Sequence, residues 1–256
     1  MFEALLALNI VWQTEVSIFA LLPGFVEVWR APLRVSQQQQ AEFNALLCEP
    51  ERSRAERFKF PVHRDRFIVA HGILRVLLGR YMKQLPEGIE FVSGHRGKPF
   101  LGPKSQFGPE PLYFNISHSG DWGLFAFARQ PVGVDLEASR QTDVLTLAQR
   151  FFSRDEAEAL TKLSDSEQLS VFYQFWTGKE AFLKATGDGI SALEQIELQR
   201  NKNTTLVPKS WAGTPELSQW SFWSFVPQTN YWGALAVSAP DYQLQCFDYR
   251  SSKLLF

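Results

Sequence analysis

Apolar residues recur along this chain with two different periods, which separate candidate helices from candidate strands. Steps of three and four residues are clearest over 65–84, where positions 68, 71, 72, 75, 78 and 79 recur. Ser36 and Ser153 are suitable N-caps, and Glu156 would complete a capping box with Ser153. The further predicted helices cover 36–49, 145–152, 153–163 and 166–186.

Alternation of apolar and polar residues predicts strands in both parts of the chain. A polar turn is expected over 117–121, and Gly and Pro predict a loop over 93–111. The stretch 51–58 is mostly charged and precedes Pro61. The predicted strands cover 26–29, 89–92, 113–116, 122–128, 132–137, 221–226, 231–238 and 242–248.

The order of these elements is similar in the two parts of the chain, with a change near 129–132. We therefore predict an α+β fold with two halves of similar size, 25–130 and 131–256. The fairly apolar segment 1–24 would be an N-terminal extension, and the pattern assigns no role to it.

Composition narrows the class of protein. The 256 residues are 45% hydrophobic, enough for a buried core, and the net charge of −1 argues against a general nucleic-acid binder. Cys48 and Cys246 lie far apart, which favours free thiols in a reducing compartment. Glu3, Gln13 and Glu15 interrupt the apolar N-terminus, so we expect no membrane span and a soluble, cytoplasmic protein. We also expect a monomer.

The first chemical motif is Gly133-Val134-Asp135-Leu136-Glu137. Residues two apart on a strand share a face, so the two carboxylates project together. Mg²⁺ prefers such oxygen ligands together with substrate phosphates. A solvated strand end is the alternative interpretation, and this motif alone does not exclude it.

The second motif lies on the last predicted long helix. Trp176, Glu180 and Lys184 are spaced by four residues and share one helix face, and Gly187 and Gly189 end the helix. Glu180 could complete a metal site or act as a base, and Lys184 could meet a phosphate. The alternative is an exposed Glu–Lys pair beside a core Trp.

The third motif is 115–119, Asn-Ile-Ser-His-Ser. His118 in a polar turn would be placed to donate to a phosphate, although a structural turn capped by Ser and Asn is the alternative. Together the three motifs supply carboxylates for a hard metal and cations for phosphate groups. They therefore predict a Mg²⁺ site for a substrate that contains a pyrophosphate.

In this order, the three motifs resemble those of the Sfp-type 4′-phosphopantetheinyl transferases. The resemblance extends upstream to Gly97-Lys98-Pro99 and to Arg66, and it covers roughly 26–237. It implies a pseudo-dimer of two similar α+β halves with the active site in the cleft between them. It also implies transfer of the 4′-phosphopantetheine of coenzyme A to a serine of an apo acyl, polyketide or peptidyl carrier protein, with release of adenosine 3′,5′-bisphosphate.

The resemblance assigns roles to individual residues. Asp135, Glu137 and Glu180 would bind Mg²⁺, and Glu180, directly or through a water, would activate the carrier serine. Lys184 and His118 would stabilise the reacting phosphates, and the resemblance also places 151–152 beside the carrier. The remaining residues implied to contact coenzyme A are Arg54, Arg66, Lys98, Pro99 and Ser117.

One position departs from the family. Glu51 occupies a place where the family can offer a basic residue, and Arg52 could substitute for it. Two other functions remain open: a Mg²⁺-dependent hydrolase of coenzyme A or another nucleotide pyrophosphate, and a non-catalytic module that binds coenzyme A or a carrier. The carrier itself is not identified by the sequence.

Overall fold

The two halves of the chain repeat one order of secondary-structure elements. A computed structural model describes residues 10–14, 20–94, 97–103, 111–200, 206–211 and 217–250. The first half contains β1 (Phe25–Pro32), α1 (Gln37–Leu46), α2 (Glu49–Glu56), α3 (Pro61–Met82), β2 (Phe91–Ser93), β3 (Pro99–Leu101), β4 (Tyr113–Ser119) and β5 (Trp122–Ala128). The second contains β6 (Val132–Ala138), α4 (Val144–Phe151), α5 (Arg154–Thr161), α6 (Asp165–Thr186), β7 (Ile196–Arg200), β8 (Leu206–Trp211), β9 (Ser221–Phe225) and β10 (Tyr231–Val237), followed by β11 (Gln243–Asp248). The predicted α+β fold of two similar halves is confirmed.

The sheets repeat the same pairing. One sheet has the order β11-β1-β5-β4 and the other the order β6-β10-β9, so that β1, β5 and β4 correspond to β6, β10 and β9. The predicted boundary after residue 130 falls between β5 and β6. Strand β11 pairs in parallel with β1, so residues 243–248 lie in the sheet of the first half. The second half therefore contributes one strand to the sheet of the first half.

Several helix ends follow the predicted capping chemistry. Ser36 and Ser153 cap α1 and α5, and both form capping boxes. Helix α3 begins at Pro61, four residues before the predicted start. Proline is tolerated in a first turn because its missing N–H has no acceptor there.

Three predicted segments differ from the structure. The expected turn over 117–121 is shorter, since β4 continues to Ser119, and the expected loop over 93–111 includes the β2–β3 hairpin. The charged stretch that precedes Pro61 forms most of α2, which buries only Glu51 and Ala55 and therefore has almost no apolar period. Residues 95–96 and 104–110 lie outside the described residues.

Side chains on one face of β4 join the two halves. Asn115 accepts a hydrogen bond from the backbone N–H of Val134 at 2.9 Å. The hydroxyl oxygens of Ser117 and Ser119 accept from the N–H groups of Leu136 and Ala138. The alternating polar residues of the third motif thus replace a backbone ladder between β4 and β6.

Strand β6 also packs closely against α6. A Cβ atom at Gly133 would lie 2.0 Å from the carbonyl oxygen of Ala181 and 2.4 Å from the backbone nitrogen of Ala185. Any larger residue would push strand and helix apart. Gly133 therefore brings the carboxylates of β6 next to those of α6.

Each half contains a buried ion pair in the same place. In the first half, Arg75 on α3 is fully buried and its Nε donates to Glu51 of α2 at 2.7 Å. In the second half, Lys179 on α6 is fully buried and donates to Glu156 of α5 at 2.6 Å. Each glutamate also caps its own short helix, and each basic group donates to two carbonyl oxygens that follow its long helix.

Described parts of the N-terminal extension pack on the fold. Gln13 forms a bridge with Phe247 of β11, and the ring of Trp12 lies 4.5 Å from the guanidinium carbon of Arg30. Cys48 and Cys246 are free thiols, as predicted. Across the described ranges, each helix is too short or too polar to cross a membrane.

Candidate active site

Three carboxylates meet where β6 faces α6. Asp135 and Glu137 alternate on β6 and Glu180 lies on α6, and one oxygen of each lies within 4.8 Å of the others. The structure therefore brings together the three residues that were predicted as metal ligands. Because β6 faces α6, the strand motif and the helix motif contribute side chains to the same site.

The electrostatics of this cluster fit a bound cation. Asp135 is 1% exposed, and its Oδ2 has no hydrogen-bond partner among the described residues. Burial and the charge of Asp135 raise the pKa of Glu137, and the same two causes raise the pKa of Glu180 to about 8. Crowded carboxylates with an unused buried oxygen are the donor set that Mg²⁺ takes.

Lys184 partly offsets the negative charge of these carboxylates. Its Nζ lies 2.5 Å from Oδ1 of Asp135, 3.0 Å from the hydroxyl of Ser117 and 3.8 Å from Glu180. Burial opposes the charged form, but Asp135 and Glu180 outweigh it and raise the pKa of Lys184. Ser117 also donates to Asp135 at 2.9 Å and so lies inside this cluster.

Cations surround His118 on the other side of the cleft. Although His118 is exposed to the cleft, the protein around it desolvates the imidazole, and the charges of His71, Lys184, Arg66 and Arg54 add to this effect. The pKa of His118 falls to about 4 as a result. The site thus combines an acidic end with a region of positive potential, which suits a metal beside several phosphates.

Two of these cations have fixed neighbours. Arg66 binds Asp121 with an Nη2–Oδ1 distance of 2.5 Å, and Arg34 binds the other oxygen of the same carboxylate at 2.7 Å. The guanidinium carbon of Arg54 lies 5.3 Å from the centre of the Phe67 ring. Arg66 is therefore held at the cleft by an ion pair, and Arg54 by an aromatic ring.

Lys98 lies at the end of α6. Its Nζ donates to the carbonyl oxygens of Lys184 and, at 3.2 Å, of Ala185, and burial lowers its pKa to about 8. Pro99 follows as the first residue of β3. Lys98 and Pro99 therefore connect the β2–β3 hairpin of the first half to the helix that holds Glu180 and Lys184.

A cleft of about 490 Å³ lies beside the carboxylate cluster. Among the residues named by the motifs or the resemblance, Arg66, His118, Glu137 and Trp176 contribute to its wall. The other predicted site residues do not line it: Arg54, Lys98, Pro99, Ser117, Asp135, Glu180 and Lys184. The motifs did not identify the other wall residues, which come from separate segments and meet only in the fold. They include Phe58, His63, Arg140, Thr142, Leu147 and Tyr173.

The two residues expected beside the carrier, Phe151 and Phe152, lie in different environments. The Phe152 side chain is buried and stacks on Phe172 with ring centres 5.3 Å apart. Phe151 is partly buried and meets the edge of Trp176 at 5.5 Å. Only Phe151 thus keeps surface that a partner could reach.

Comparison with known families covers most of the chain. The model of the 4′-phosphopantetheinyl transferase superfamily matches residues 131–239, and the model of the N-terminal part of 4′-phosphopantetheinyl transferase matches 32–130. These matches meet at the boundary between β5 and β6. The chain belongs to the 4′-phosphopantetheinyl transferase superfamily, and the predicted enzyme class is confirmed.

Individual relatives agree with this family. The chain is 40% identical to the 4′-phosphopantetheinyl transferase HetI of Nostoc sp. (strain PCC 7120) over 241 residues, which cover 93% of this chain and 98% of the relative. It is 35% identical to a putative 4′-phosphopantetheinyl transferase of Synechocystis sp. over 76% of this chain and 80% of the relative. Identity to the transferase Sfp of Bacillus subtilis is 31%, over 61% of this chain and 67% of the relative.

Proposed function

We propose that this enzyme transfers the 4′-phosphopantetheine moiety of coenzyme A to a serine of an apo acyl or peptidyl carrier protein, with Mg²⁺ as cofactor. The carboxylate cluster formed by Asp135, Glu137 and Glu180, next to the cations around His118, is the observation that supports it. We further propose that the enzyme is a monomer and that it acts in the cytoplasm, where coenzyme A and carrier proteins would be available.

Asp135, Glu137 and Glu180 would hold the metal. Oδ2 of Asp135, which has no hydrogen-bond partner among the described residues, and the raised pKa of Glu180 both favour a cation at this place. Bound Mg²⁺ supplies charge neutralisation on the phosphate oxygens. Ser117 and Ser119 donate to Asp135 and Glu137 and orient two of the three carboxylates.

The cations of the cleft would bind the phosphates of coenzyme A. Lys184 lies nearest the carboxylates and would stabilise charge on the reacting phosphate as a cation, since positioned positive charge dominates phosphoryl chemistry. His118 lines the same cleft as Glu137, and with its pKa lowered to about 4 it would act as a neutral hydrogen-bond donor to a phosphate. Arg54 and Arg66 would bind further phosphate oxygens. Lys98, Pro99 and Ser117 would contact the nucleotide end, as the family resemblance implies.

The reaction balances without a further reactant. The serine oxygen forms a bond to the β-phosphorus of coenzyme A, and the bond from that phosphorus to the adenosine 3′,5′-bisphosphate oxygen breaks. The serine proton passes to Glu180, directly or through a water. A base within reach is required because a serine hydroxyl is a weak nucleophile.

The experiment is incubation of the enzyme with coenzyme A, Mg²⁺ and a panel of apo carrier proteins, followed by mass spectrometry. We expect a gain of one phosphopantetheine on the carrier serine. Glu180→Gln and Asp135→Asn should lower the rate at least about 100-fold, because each removes one negative charge from the residues that would bind the metal. Glu158→Gln, an exposed glutamate of α5, is the matched control and should leave the rate unchanged.

The two alternative functions give different results. Release of the bisphosphate at the same rate without a carrier would indicate a hydrolase. Binding of coenzyme A with no mass gain on any carrier would indicate a non-catalytic module.

A further inference from the structure

The two-residue turn between β4 and β5 has a fixed backbone. Gly120 has a φ of +53°, and a Cβ atom there would lie 2.5 Å from the hydroxyl oxygen of Tyr231 on β10, so only glycine fits. The N–H of Asp121 donates to the same hydroxyl at 3.1 Å, and its carbonyl oxygen accepts from the N–H of Leu33 at 2.8 Å. Contacts from both halves therefore fix the backbone from which the Asp121 side chain projects.

The carboxylate of Asp121 binds a different arginine with each of its oxygens. Oδ1 accepts from Nε of Arg66 at 3.1 Å and from Nη2 at 2.5 Å, and Oδ2 lies 2.7 Å from Nε of Arg34. Burial alone would raise the pKa of Asp121, but the hydrogen bonds from Arg34 and Arg66 outweigh it and lower the pKa. The carboxylate is therefore ionised near neutral pH and can only accept, so it holds one edge of the Arg66 guanidinium.

The rest of the Arg66 guanidinium keeps donors for a ligand. Arg66 lines the cleft together with Gly120, His118 and Glu137, whereas Asp121 does not line it. Among the described residues, the hydrogen bonds of Arg66 go to Asp121 from Nε and Nη2, and Nη1 has no acceptor. The N–H groups of Nη1 thus remain able to donate, on a side chain that forms part of the cleft wall.

We propose that Asp121 is a positioning residue of the coenzyme A site: from outside the cleft it orients the Arg66 guanidinium so that Nη1 donates to a phosphate oxygen of coenzyme A. This inference rests on the proposed function, since coenzyme A is its ligand. Neither the three motifs nor the family resemblance assigned a role to Asp121. Because Asp121 contacts Arg66 and not the ligand, its effect on binding is an effect on Arg66.

Two opposing effects decide the sign of this contribution. The Asp121 charge opposes a phosphate, but its side chain is 32% exposed and Arg34 binds its second oxygen, so water and a second cation screen it. Orientation acts the other way, because a long arginine side chain that is already held loses less rotamer freedom when the ligand binds. The two arginines outnumber the one carboxylate, so the group still attracts an anion. We therefore expect Asp121 to strengthen coenzyme A binding.

The experiment is calorimetry of coenzyme A binding with Mg²⁺ and without a carrier. Asp121→Ala should weaken binding about 5- to 10-fold, because Arg66 must then be ordered by the ligand. Asp121→Asn preserves the shape of the turn and keeps one acceptor for Arg66, so it should weaken binding only about 3-fold. Asp65→Asn is the matched control: it removes the same charge one residue from Arg66, from a carboxylate that pairs with Arg64 at 3.0 Å. It should stay within about 1.5-fold of wild type, since an exposed pair contributes little.

A second background shows whether Asp121 acts through Arg66. In the Arg66→Gln variant, the loss caused by Asp121→Ala should disappear, because the side chain that Asp121 orients is gone. A purely structural role of Asp121 would give the same loss in both backgrounds, and that result overturns the inference. Folded Asp121→Ala and Asp121→Asn variants with unchanged or higher affinity overturn it too, since higher affinity would mean that Asp121 competes with the phosphate for Arg66.

The outcomes separate this inference from the proposed function. If Asp121→Ala does not fold, the same comparison in the two backgrounds with Asp121→Asn decides. A wild-type enzyme that binds coenzyme A but modifies no carrier overturns the proposed function and leaves the inference intact. An enzyme that modifies carriers, but in which the losses from Asp121→Ala and Arg66→Gln simply add, overturns the inference and leaves the proposed function intact.

Discussion

The two halves of this enzyme use one scaffold for charges of opposite sign. In each half a long helix packs on a three-stranded unit and is tied to a short helix by a buried glutamate and a basic residue. The second half adds carboxylates on β6 and α6, which suit a cation. The first half adds cations on α2 and α3, Arg54 and Arg66, which suit an anion. The repeated ion pair therefore maintains the architecture, and the residues beside it determine the ligand.

Substitutions that break the buried ion pairs of the two halves, Glu51–Arg75 and Glu156–Lys179, should have the largest effect on stability. Arg75→Met and Lys179→Met each leave a buried glutamate without its cation, and each should lower the free energy of unfolding by about 3–5 kcal/mol. Urea denaturation measures both. Lys162→Met, at the residue directly after α5 and with a side chain that is 63% exposed, is the control and should change stability by less than about 0.5 kcal/mol. A loss confined to one of the two pairs would contradict their structural equivalence.

Low pH should weaken the Glu51–Arg75 ion pair of the first half. The folded pKa of Glu51 is about 2, below its ordinary value of 4.5, so its contribution is complete above pH 4.5 and is lost as pH falls towards 2. At pH 7, Glu51→Gln should cost about 3 kcal/mol of stability, and the difference from wild type should shrink as the pH falls from 4.5 towards 2. Thermal denaturation between pH 3 and pH 7 measures it. The exposed Glu49→Gln variant should follow wild type at every pH, and a constant difference for Glu51→Gln would refute the assignment.

The contact between the halves should show a smaller effect. Asn115→Ala leaves the buried N–H of Val134 without its acceptor and should lower stability by about 1–2 kcal/mol. Asn44→Ala is a suitable control, because its side chain makes no hydrogen bond with the described residues, and should stay within about 0.5 kcal/mol of wild type. Equal stability of the two variants would mean that the β4–β6 contact does not depend on these side chains.

The predictable part of the site follows local periodicity. A strand places Asp135 and Glu137 on one face, and helical spacing places Glu180 near Lys184, so the motifs identified these residues before the fold was known. The third motif was assigned to a turn because its polar residues resemble turn residues. In the fold those residues lie on a strand, since their hydrogen bonds go to β6.

The remaining features depend on contacts far apart in sequence. No local pattern could indicate that Glu51 meets Arg75 and His71, or that Lys98 reaches the end of α6. Helix α2 was not predicted because it is anchored by one buried ion pair and one alanine rather than by an apolar face. The charged residues of α2 are typical of an exposed segment, but in this fold Glu51 connects α2 to α3 through Arg75.

The parallel pairing of β11 with β1 has a consequence for how the protein is made. A ribosome releases residues 25–32 long before residues 243–248, and these two strands are neighbours in the finished sheet. During synthesis the outer edge of β1 stays uncovered while the whole second half emerges, and an uncovered edge can pair with other chains. Closure of the first half thus follows synthesis of the second half, so the sheet of the first half is complete only after both ligand-binding ends of the cleft have been synthesised.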